Sequence, residues 1–256
     1  MHTLYSSVRQ AVTTHAFFVA ALGAAAMLLL TSVEGMLMGF RAEVLLAFGY
    51  HNELIERALS SNAMTLALPV LAALPYTAAV VDDVKSGFIK AYLPRTNVMR
   101  YLIGKVTACA VSGGLCILIG TAIAWGILAL AFLPLEAPPA VVDKAGEAIR
   151  YVSPIWGKLL LCFASGALWA AVGMLAANLT GSKYMAYATP FVVYYVLVIL
   201  YERYFYSLYV LYPKEWLTPS SLWLYGNAGV LILVTELALI ASLGAGWAAK
   251  RMVSRI

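Results

Sequence analysis

Residues 106–133 read VTACAVSGGLCILIGTAIAWGILALAFL and contain no charged side chain. A helix rises about 1.5 Å per residue, so about 20 apolar residues cross a hydrocarbon core that is roughly 30 Å thick. The whole chain of 256 residues is 63% hydrophobic and 11% charged, which is more apolar surface than a soluble domain of this size could bury. The sequence therefore predicts an integral membrane protein.

Five further stretches have the length and apolar character of the first one. Inside lipid every backbone N–H and C=O needs a partner, and a helix supplies these partners within its own segment. The predicted fold class is therefore all-α, a single transmembrane domain over residues 1–256, with residues 3–12 as a short interfacial helix before the first span. The six predicted spans cover about residues 13–31, 63–81, 106–133, 155–177, 184–201 and 226–248.

Lys and Arg are distributed unevenly among the segments between these spans. With the N-terminus in the cytoplasm, the inner side holds ten basic residues against two acids, a net charge of +8. The outer side holds seven basic residues against nine acids, a net charge of −2. The positive-inside rule then predicts a multi-pass protein with both termini cytoplasmic. The inner basic residues are Arg9, Lys85, Lys90, Arg95, Arg100, Lys105, Lys183, Lys250, Arg251 and Arg255.

Two outer segments could do more than connect spans. Residues 32–62 keep apolar side chains at helical spacing, which favours a helix at the outer interface over a seventh span through 33–49. Residues 201–227 are rich in Tyr and Trp. They favour an aromatic belt at the membrane surface, with which a short re-entrant helix before the sixth span is compatible.

The polar segment 82–105 reads DDVKSGFIKAYLPRTNVMRYLIGK and separates the second and third spans. Two acids come first, Ser86 and Gly87 allow a sharp turn, and apolar and aromatic residues follow before Pro94. This order is typical of a docking element, although an ordinary basic loop that sets topology would have a similar composition.

The segment resembles the first cytoplasmic loop of ABC-2 type permeases, the membrane subunits of a large group of ATP-binding-cassette transporters. The length, the number of predicted spans and the N-terminal interfacial helix extend the resemblance to the whole chain. Many members of that family have Glu where this chain has Asp82 and Asp83, a change that keeps the charge and shortens the side chain. The residues that carry the resemblance are Asp83, Gly87, Leu93, Pro94, Arg95, Tyr101, Gly104 and Lys105.

The resemblance implies a function and a set of partners. The stretch from Val84 through Arg95 would form a cytoplasmic coupling helix that contacts an ATPase subunit. Two such ATP-binding-cassette subunits would bind ATP and Mg, and a second permease copy, identical or paralogous, would complete the path through a bacterial plasma membrane. The substrate would be an amphipathic or hydrophobic compound such as a peptide antibiotic, a lipid or a drug. The residues implied in ATPase coupling are Asp82, Asp83, Gly87, Phe88, Tyr92, Pro94 and Arg95.

Motifs for catalysis, metal binding and nucleic-acid binding are not found in the sequence. The phosphate-binding pattern G-x-x-x-x-G-K-[ST] does not occur, so we expect neither a cofactor in this chain nor an ATPase activity of its own. The three histidines are scattered, and Cys109, Cys116 and Cys162 lie in predicted spans, where packing is the expected role. Basic residues cluster at membrane edges, which explains the pI near 9.0 without nucleic acid as a partner.

Glu236 is the acidic residue in the middle of the last predicted span. A central charge costs roughly 2.5 to 3.5 kcal/mol on insertion scales, so its side chain should face protein or a water-filled cavity. A hydrogen bond to a neighbouring helix, with Thr235 nearby, is one role, and a place in a translocation path is another. A secondary transporter that uses Glu236 to couple an ion is the alternative function. A membrane scaffold or sensor without transport is a third.

Overall fold

The computed structural model describes residues 2–92, 97–137, 155–205, 207–220 and 223–254. These residues form α-helices and short 3-10 turns, and their extended pairing is limited to one isolated bridge between Leu46 and Glu136. The predicted all-α class is confirmed. The helices are α1 His2–Val12, α2 His15–Phe40, α3 Tyr50–Ser60, α4 Asn62–Ala73, α5 Ala79–Lys85, α6 Phe88–Tyr92, α7 Val98–Phe132, α8 Ile155–Thr180, α9 Lys183–Arg203 and α10 Asn227–Val253.

Five of these helices, α2, α7, α8, α9 and α10, are long and apolar enough to cross a membrane. They contain five of the six predicted spans. Helix α7 begins at Val98, so the inner loop ends eight residues earlier than the apolar pattern predicts. The helix begins there because Asn97 is its N-cap, with a side chain that accepts a hydrogen bond from the Met99 N–H.

The second predicted span, 63–81, is divided into α4 and α5. Pro75 has no N–H to offer the Leu71 carbonyl, which accepts from Leu74 instead, and the helix ends in a turn. The 12 residues of α4 span about 18 Å, less than the hydrocarbon core. A sixth span made of α4 and α5 together stays a prediction.

Helix α8 is the centre of the bundle. In its most apolar stretch 72% of the residues are buried, against 22% in α9 and 28% in α10. Small residues allow this, because a Cβ on Gly113 of α7 would lie 2.3 Å from the Ala170 Cβ, and one on Gly166 would lie 2.5 Å from the Gly113 carbonyl oxygen. Helices α7 and α10 pack on α8 most extensively, and α2 and α4 pack on α7.

The first helix confirms the prediction of a helix over residues 3–12. It packs against α7, with Ala11 fully buried in the same apolar cluster as Tyr101. Its position in the membrane interface stays a prediction. We call the end of the bundle that carries α1, α5 and α6 the inner end, and the end that carries α3 the outer end.

At the outer end, α2 continues to Phe40, so residues 33–40 belong to the first membrane helix. Residues 41–49 are irregular, and the amphipathic helix expected in this region is confined to α3. A separate seventh span through 33–49 is therefore wrong. The re-entrant helix considered for 201–227 is represented, in the described part of that segment, by two 3-10 turns, Tyr209–Leu211 and Pro213–Trp216.

Candidate functional site

The inner loop leaves the bundle through a turn at Ser86 and Gly87. Gly87 has φ of +74°, in the left-handed region that favours glycine. Its N–H donates to the Val84 carbonyl at 3.2 Å, and α6 follows at once. The turn thus reverses the chain after α5 and sets α6 outside the ends of the long helices.

Helix α6 has one buried and one exposed side. Ile89 is 2% exposed and belongs to the buried apolar cluster that includes Tyr101, Leu102 and Ala249, which we call the inner core. Phe88 is 47% exposed and Lys90 is exposed. Of the other predicted coupling residues, Tyr92 ends α6, and Pro94 and Arg95 lie outside the described residues. Helix α6 is therefore a short helix that is anchored by Ile89 and exposes an aromatic ring and a cation.

Asp83 of α5 forms an ion pair with Lys105 of α7. The Lys105 Nζ lies 2.7 Å from the Asp83 Oδ2 and donates to the Tyr76 hydroxyl at 2.9 Å. Tyr101 donates to the same carboxylate oxygen at 2.6 Å, and Tyr76 donates to the Gln10 Oε1 at 2.9 Å. We call these five residues the inner network, which ties α1, α5 and α7 to the turn after α4.

The inner network holds a buried cation. Lys105 is 6% exposed, and an unpaired ammonium at such a position would cost several kcal/mol. The Tyr76 and Tyr101 rings add to the compensation, with centroids 5.0 and 5.7 Å from Nζ. Asp83 is thus engaged within the chain, whereas Asp82 makes only a 3.6 Å contact with Lys183 in which both side chains are half exposed.

The inner network also lines an open cavity of about 280 Å³ at the inner end of the bundle, where α1, the turn after α4, α5 and the start of α9 meet. The α9 residue at this cavity is Tyr187. We call it the inner cavity. Its lining residues are Gln10, Thr14, Ala16, Leu74, Pro75, Tyr76, Ala78, Ala79, Asp82, Asp83, Lys105 and Tyr187.

A second cavity, of about 720 Å³, opens at the outer end of the bundle in the seam between α4 and α9. We call it the outer cavity. Charged groups lie at its rim, where the Lys214 Nζ is 3.7 Å from the Glu202 Oε1 and Tyr212 donates to that oxygen at 3.3 Å. Burial lowers the pKa of Lys214, but Tyr212 and Glu202 outweigh it and the pKa is raised overall. The lining residues are Asn62, Leu66, Tyr194, Tyr195, Val198, Ile199, Glu202, Arg203, Tyr204 and Lys214.

Tyr194 connects the outer cavity with the core. It is 2% exposed and also borders a void of about 10 Å³ that Ser165 and Trp169 line. The hydroxyls of Tyr194 and Ser165 are buried without a hydrogen-bond partner among the described residues. Trp169 stacks on Trp216, which brings the aromatic outer segment into the bundle.

Between the two cavities α9 packs tightly on α8. A Cβ on Gly173 of α8 would lie 2.5 Å from the Ala186 carbonyl oxygen and 3.1 Å from the Pro190 ring. Pro190 lies between Tyr187 and Tyr194 along α9, and Pro69 lies within α4. Helix α9 therefore borders a cavity near each of its ends and packs closely on α8 between them, and both α4 and α9 contain a proline.

Glu236 lies outside this arrangement. It is exposed on the side of α10 opposite the residues that face α8, and it forms neither an ion pair nor a hydrogen bond with any described residue. The Thr235 hydroxyl donates to its own helix, at the carbonyls of Leu231 and Ile232. The structure thus brings Asp83 to the inner network but places Glu236 and Thr235 on the exposed side of α10, away from the other helices.

A further polar cluster holds the outer end together. The Glu136 carboxylate accepts from the N–H groups of Gly49 and His51 at the start of α3, and contacts the His51 Nδ1 at 2.6 Å. Burial raises the pKa of Glu136, but these hydrogen bonds and the facing imidazole lower it by more. Lys158 pairs with Glu56 of α3, so its ammonium is bound within the chain rather than extended to solvent.

Sequence reasoning missed most of these partners. Gln10 and Tyr76 carry no motif, and His51 is separated from Glu136 by 85 positions. The sequence offered one signal of the inner network, Lys105, because a lysine at the edge of a membrane helix either extends to water or pairs with an acidic residue.

Comparison with protein-family models gives no match for this chain, and comparisons with curated proteins and with solved structures give none either.

Proposed function

We propose that this chain is the membrane-spanning permease subunit of an ATP-binding-cassette transporter in a bacterial plasma membrane. The observation that supports it best is that α9 borders a cavity near each of its ends and packs tightly on α8 between the two cavities. Alternating access requires a path that opens at one end while it is closed at the other. Pro69 in α4 and Pro190 in α9 each remove a backbone hydrogen bond and permit the helix to bend at that point.

The outer cavity favours an amphipathic or hydrophobic substrate. Its wall is made largely of Tyr, Val, Leu and Ile side chains, with Glu202, Arg203 and Lys214 among its lining residues. Apolar groups would pack on the wall, and a polar group could bond the rim or the buried Tyr194 hydroxyl. Export of a peptide antibiotic, a lipid or a drug fits this chemistry.

The inner loop supports coupling to an ATPase. Helix α6 exposes Phe88 and Lys90, and the inner network joins α5 rigidly to α7. A push on α6 by two nucleotide-binding subunits, which would bind ATP and Mg, would therefore reach α7 and the inner cavity together. A second permease copy would complete the path. The surface that we assign to this second copy is the exposed face of α9, in whose most apolar stretch 22% of the residues are buried.

An ion-coupled transporter is the second candidate, supported by one observation. Glu236 is an exposed carboxylate on a membrane helix, and such a group is expensive in lipid unless it binds an ion, a proton or a partner. A scaffold or sensor that uses the inner loop to hold a partner, without transport, is the third.

The test of the proposal is purification of the tagged chain from its own membrane in a mild detergent, with the bound proteins identified by mass spectrometry. We expect a subunit that carries G-x-x-x-x-G-K-[ST], in stoichiometric amount, and ATP hydrolysis by the complex. Purification without such a subunit from membranes in which transport is active would contradict the proposal.

A further inference from the structure

A groove of about 430 Å³ runs between α7 and α10, away from the α4–α9 seam. Most of its wall is apolar, and Thr107, one of its hydroxyl residues, donates to the Ile103 carbonyl of its own helix at 2.7 Å. Leu243 is 76% exposed and Trp247 is 58% exposed. Six of the lining residues are Met99, Ile103, Val106, Leu243, Gly246 and Trp247.

One end of this groove is cationic. Lys250 lines it there, and the Arg251 guanidinium lies 5.7 Å from the centre of the Trp247 ring. Arg100, next to Met99 at the start of α7, is exposed as well. Within the described part of the chain none of these three cations forms an ion pair, because Asp82 and Asp83 are already paired with Lys183 and Lys105.

We propose that the groove binds an anionic phospholipid, with its acyl chain along Leu243 and Ile103 and its phosphate at Lys250 and Arg251. An apolar channel that ends in unpaired cations is complementary to a ligand with an apolar tail and an anionic head. Basic pockets between transmembrane helices at the cytoplasmic side bind such headgroups. This inference depends on the membrane location of the chain and not on the proposed transport.

A second copy of this chain fits the groove less well than a lipid does. In the predicted topology its inner side would bring ten basic residues and only two acids to this end. Both acids are engaged within their own chain. Cations would therefore face cations, whereas an anionic lipid neutralises them.

Native mass spectrometry of the purified full chain tests the proposal with phosphatidylglycerol and phosphatidylcholine of identical acyl chains. We expect phosphatidylglycerol to bind more tightly. A cation near the membrane surface contributes about 1 kcal/mol, so K250Q/R251Q should lose about thirty-fold of that preference. The matched control K85Q/K90Q removes two exposed cations of the same end, away from the groove, and should keep the preference.

Two further variants test the shape of the site. A Cβ on Gly246 would meet only the Val106 Cγ2, at 3.9 Å, so Gly246→Leu adds a side chain without a backbone clash and should weaken lipid binding with the charges intact. Brominated phosphatidylglycerol should quench the fluorescence of the wild type more than that of Trp247→Phe. This second measurement does not depend on how the Gly246 variant folds.

Three results would overturn the proposal. One is equal binding of the two lipids by the wild type. Another is the same loss of preference in K250Q/R251Q as in K85Q/K90Q. The third is efficient cross-linking of Leu243→Cys to a second copy in the membrane, which would show that protein and not lipid covers the groove.

Discussion

At the residue scale, the central feature of the inner end is a lysine that is buried and yet charged. Lys105 is stabilised there by a carboxylate, a hydroxyl and two aromatic rings. Such an arrangement need not add net stability relative to an apolar pair, but removing one partner leaves the other uncompensated. It therefore fixes which residues of α5 and α7 face each other.

The Asp83–Lys105 pair should behave as a coupled unit. Asp83→Asn leaves Lys105 buried without its counter-ion and should lower the free energy of unfolding by about 3–5 kcal/mol. The double variant Asp83→Asn/Lys105→Met should lose much less than the sum of the single losses. Unfolding in mixed detergent micelles measures this cycle. Asp82→Asn, which breaks the exposed pair with Lys183, is the control and should cost about 0–1 kcal/mol.

Additive losses in that cycle would contradict the account. They would mean that Asp83 and Lys105 stabilise the protein independently, and that α5 and α7 are not joined by this contact.

Glu136 gives a second prediction, on the acid side of neutral pH. Its pKa is lowered from 4.5, so its stabilising contribution is present above about pH 4.5 and is lost as the pH falls through the lower folded pKa. Glu136→Gln should cost about 1–3 kcal/mol near neutral pH, and the difference from the wild type should shrink below about pH 4.5.

Unfolding of both proteins from pH 3 to pH 7 measures this dependence. Glu53→Gln is a matched control on α3, the helix whose start Glu136 holds, because Glu53 pairs with Arg57 at the surface and should matter little. A constant difference between Glu136→Gln and the wild type over the whole range would show that the carboxylate charge does not stabilise α3.

At the scale of elements, α5, the turn at Gly87 and α6 form one unit between the bundle and the aqueous phase. Ile89 anchors α6 in the inner core, and Asp83 anchors α5 to α7. The unit can transmit a displacement because both of its helices are fixed to the same long helix or to the core around it.

Phe88 should contribute to the contact with the ATPase. Aromatic residues at interfaces commonly contribute about 2 kcal/mol, so Phe88→Ala should weaken binding of the purified ATPase subunit about thirty-fold while the chain still inserts. Titration in detergent measures the affinity. Phe205→Ala is the control, since Phe205 is 47% exposed like Phe88 but follows α9 at the outer end. Equal affinity of both variants would remove α6 from the interface.

The periodicity and length of the apolar runs predict α2, α7, α8, α9 and α10, because burial in lipid requires long apolar helices whatever their neighbours are. The division of α4 from α5 was not predicted. A proline such as Pro75 permits either a kink or an end, and only the packing of Tyr76 into the inner network selects the end.

The same reasoning explains what the sequence could say about the sites. The order of residues in 82–105 predicts a turn followed by a short helix, which depends on local chemistry. It could not predict that Asp83 faces Lys105, or that α4 and α9 line the outer cavity, because those contacts join residues that are distant in sequence. Glu236 was expected to face protein or a cavity, and within this chain it faces neither.

At the scale of the molecule, the account requires the inner end to be cytoplasmic. Cysteines placed at Lys90 and at Leu45, which is 65% exposed, should therefore differ in intact cells. A membrane-impermeant thiol reagent should label Leu45→Cys and leave Lys90→Cys unlabelled. The native cysteines are buried and should give little background. The reverse labelling pattern would invert the topology and place α6 out of reach of a cytoplasmic ATPase.

The central claim is that ATP, and not an ion gradient, drives this chain, and transport by the purified complex in proteoliposomes tests it most directly. The vesicles would hold a fluorescent amphipathic dye, with ATP and a proton gradient varied independently. The account predicts movement of the dye with ATP alone, none with the gradient alone, and continued ATP-driven movement in Glu236→Gln. Movement driven by the gradient without nucleotide, and abolished by that one substitution, would contradict it.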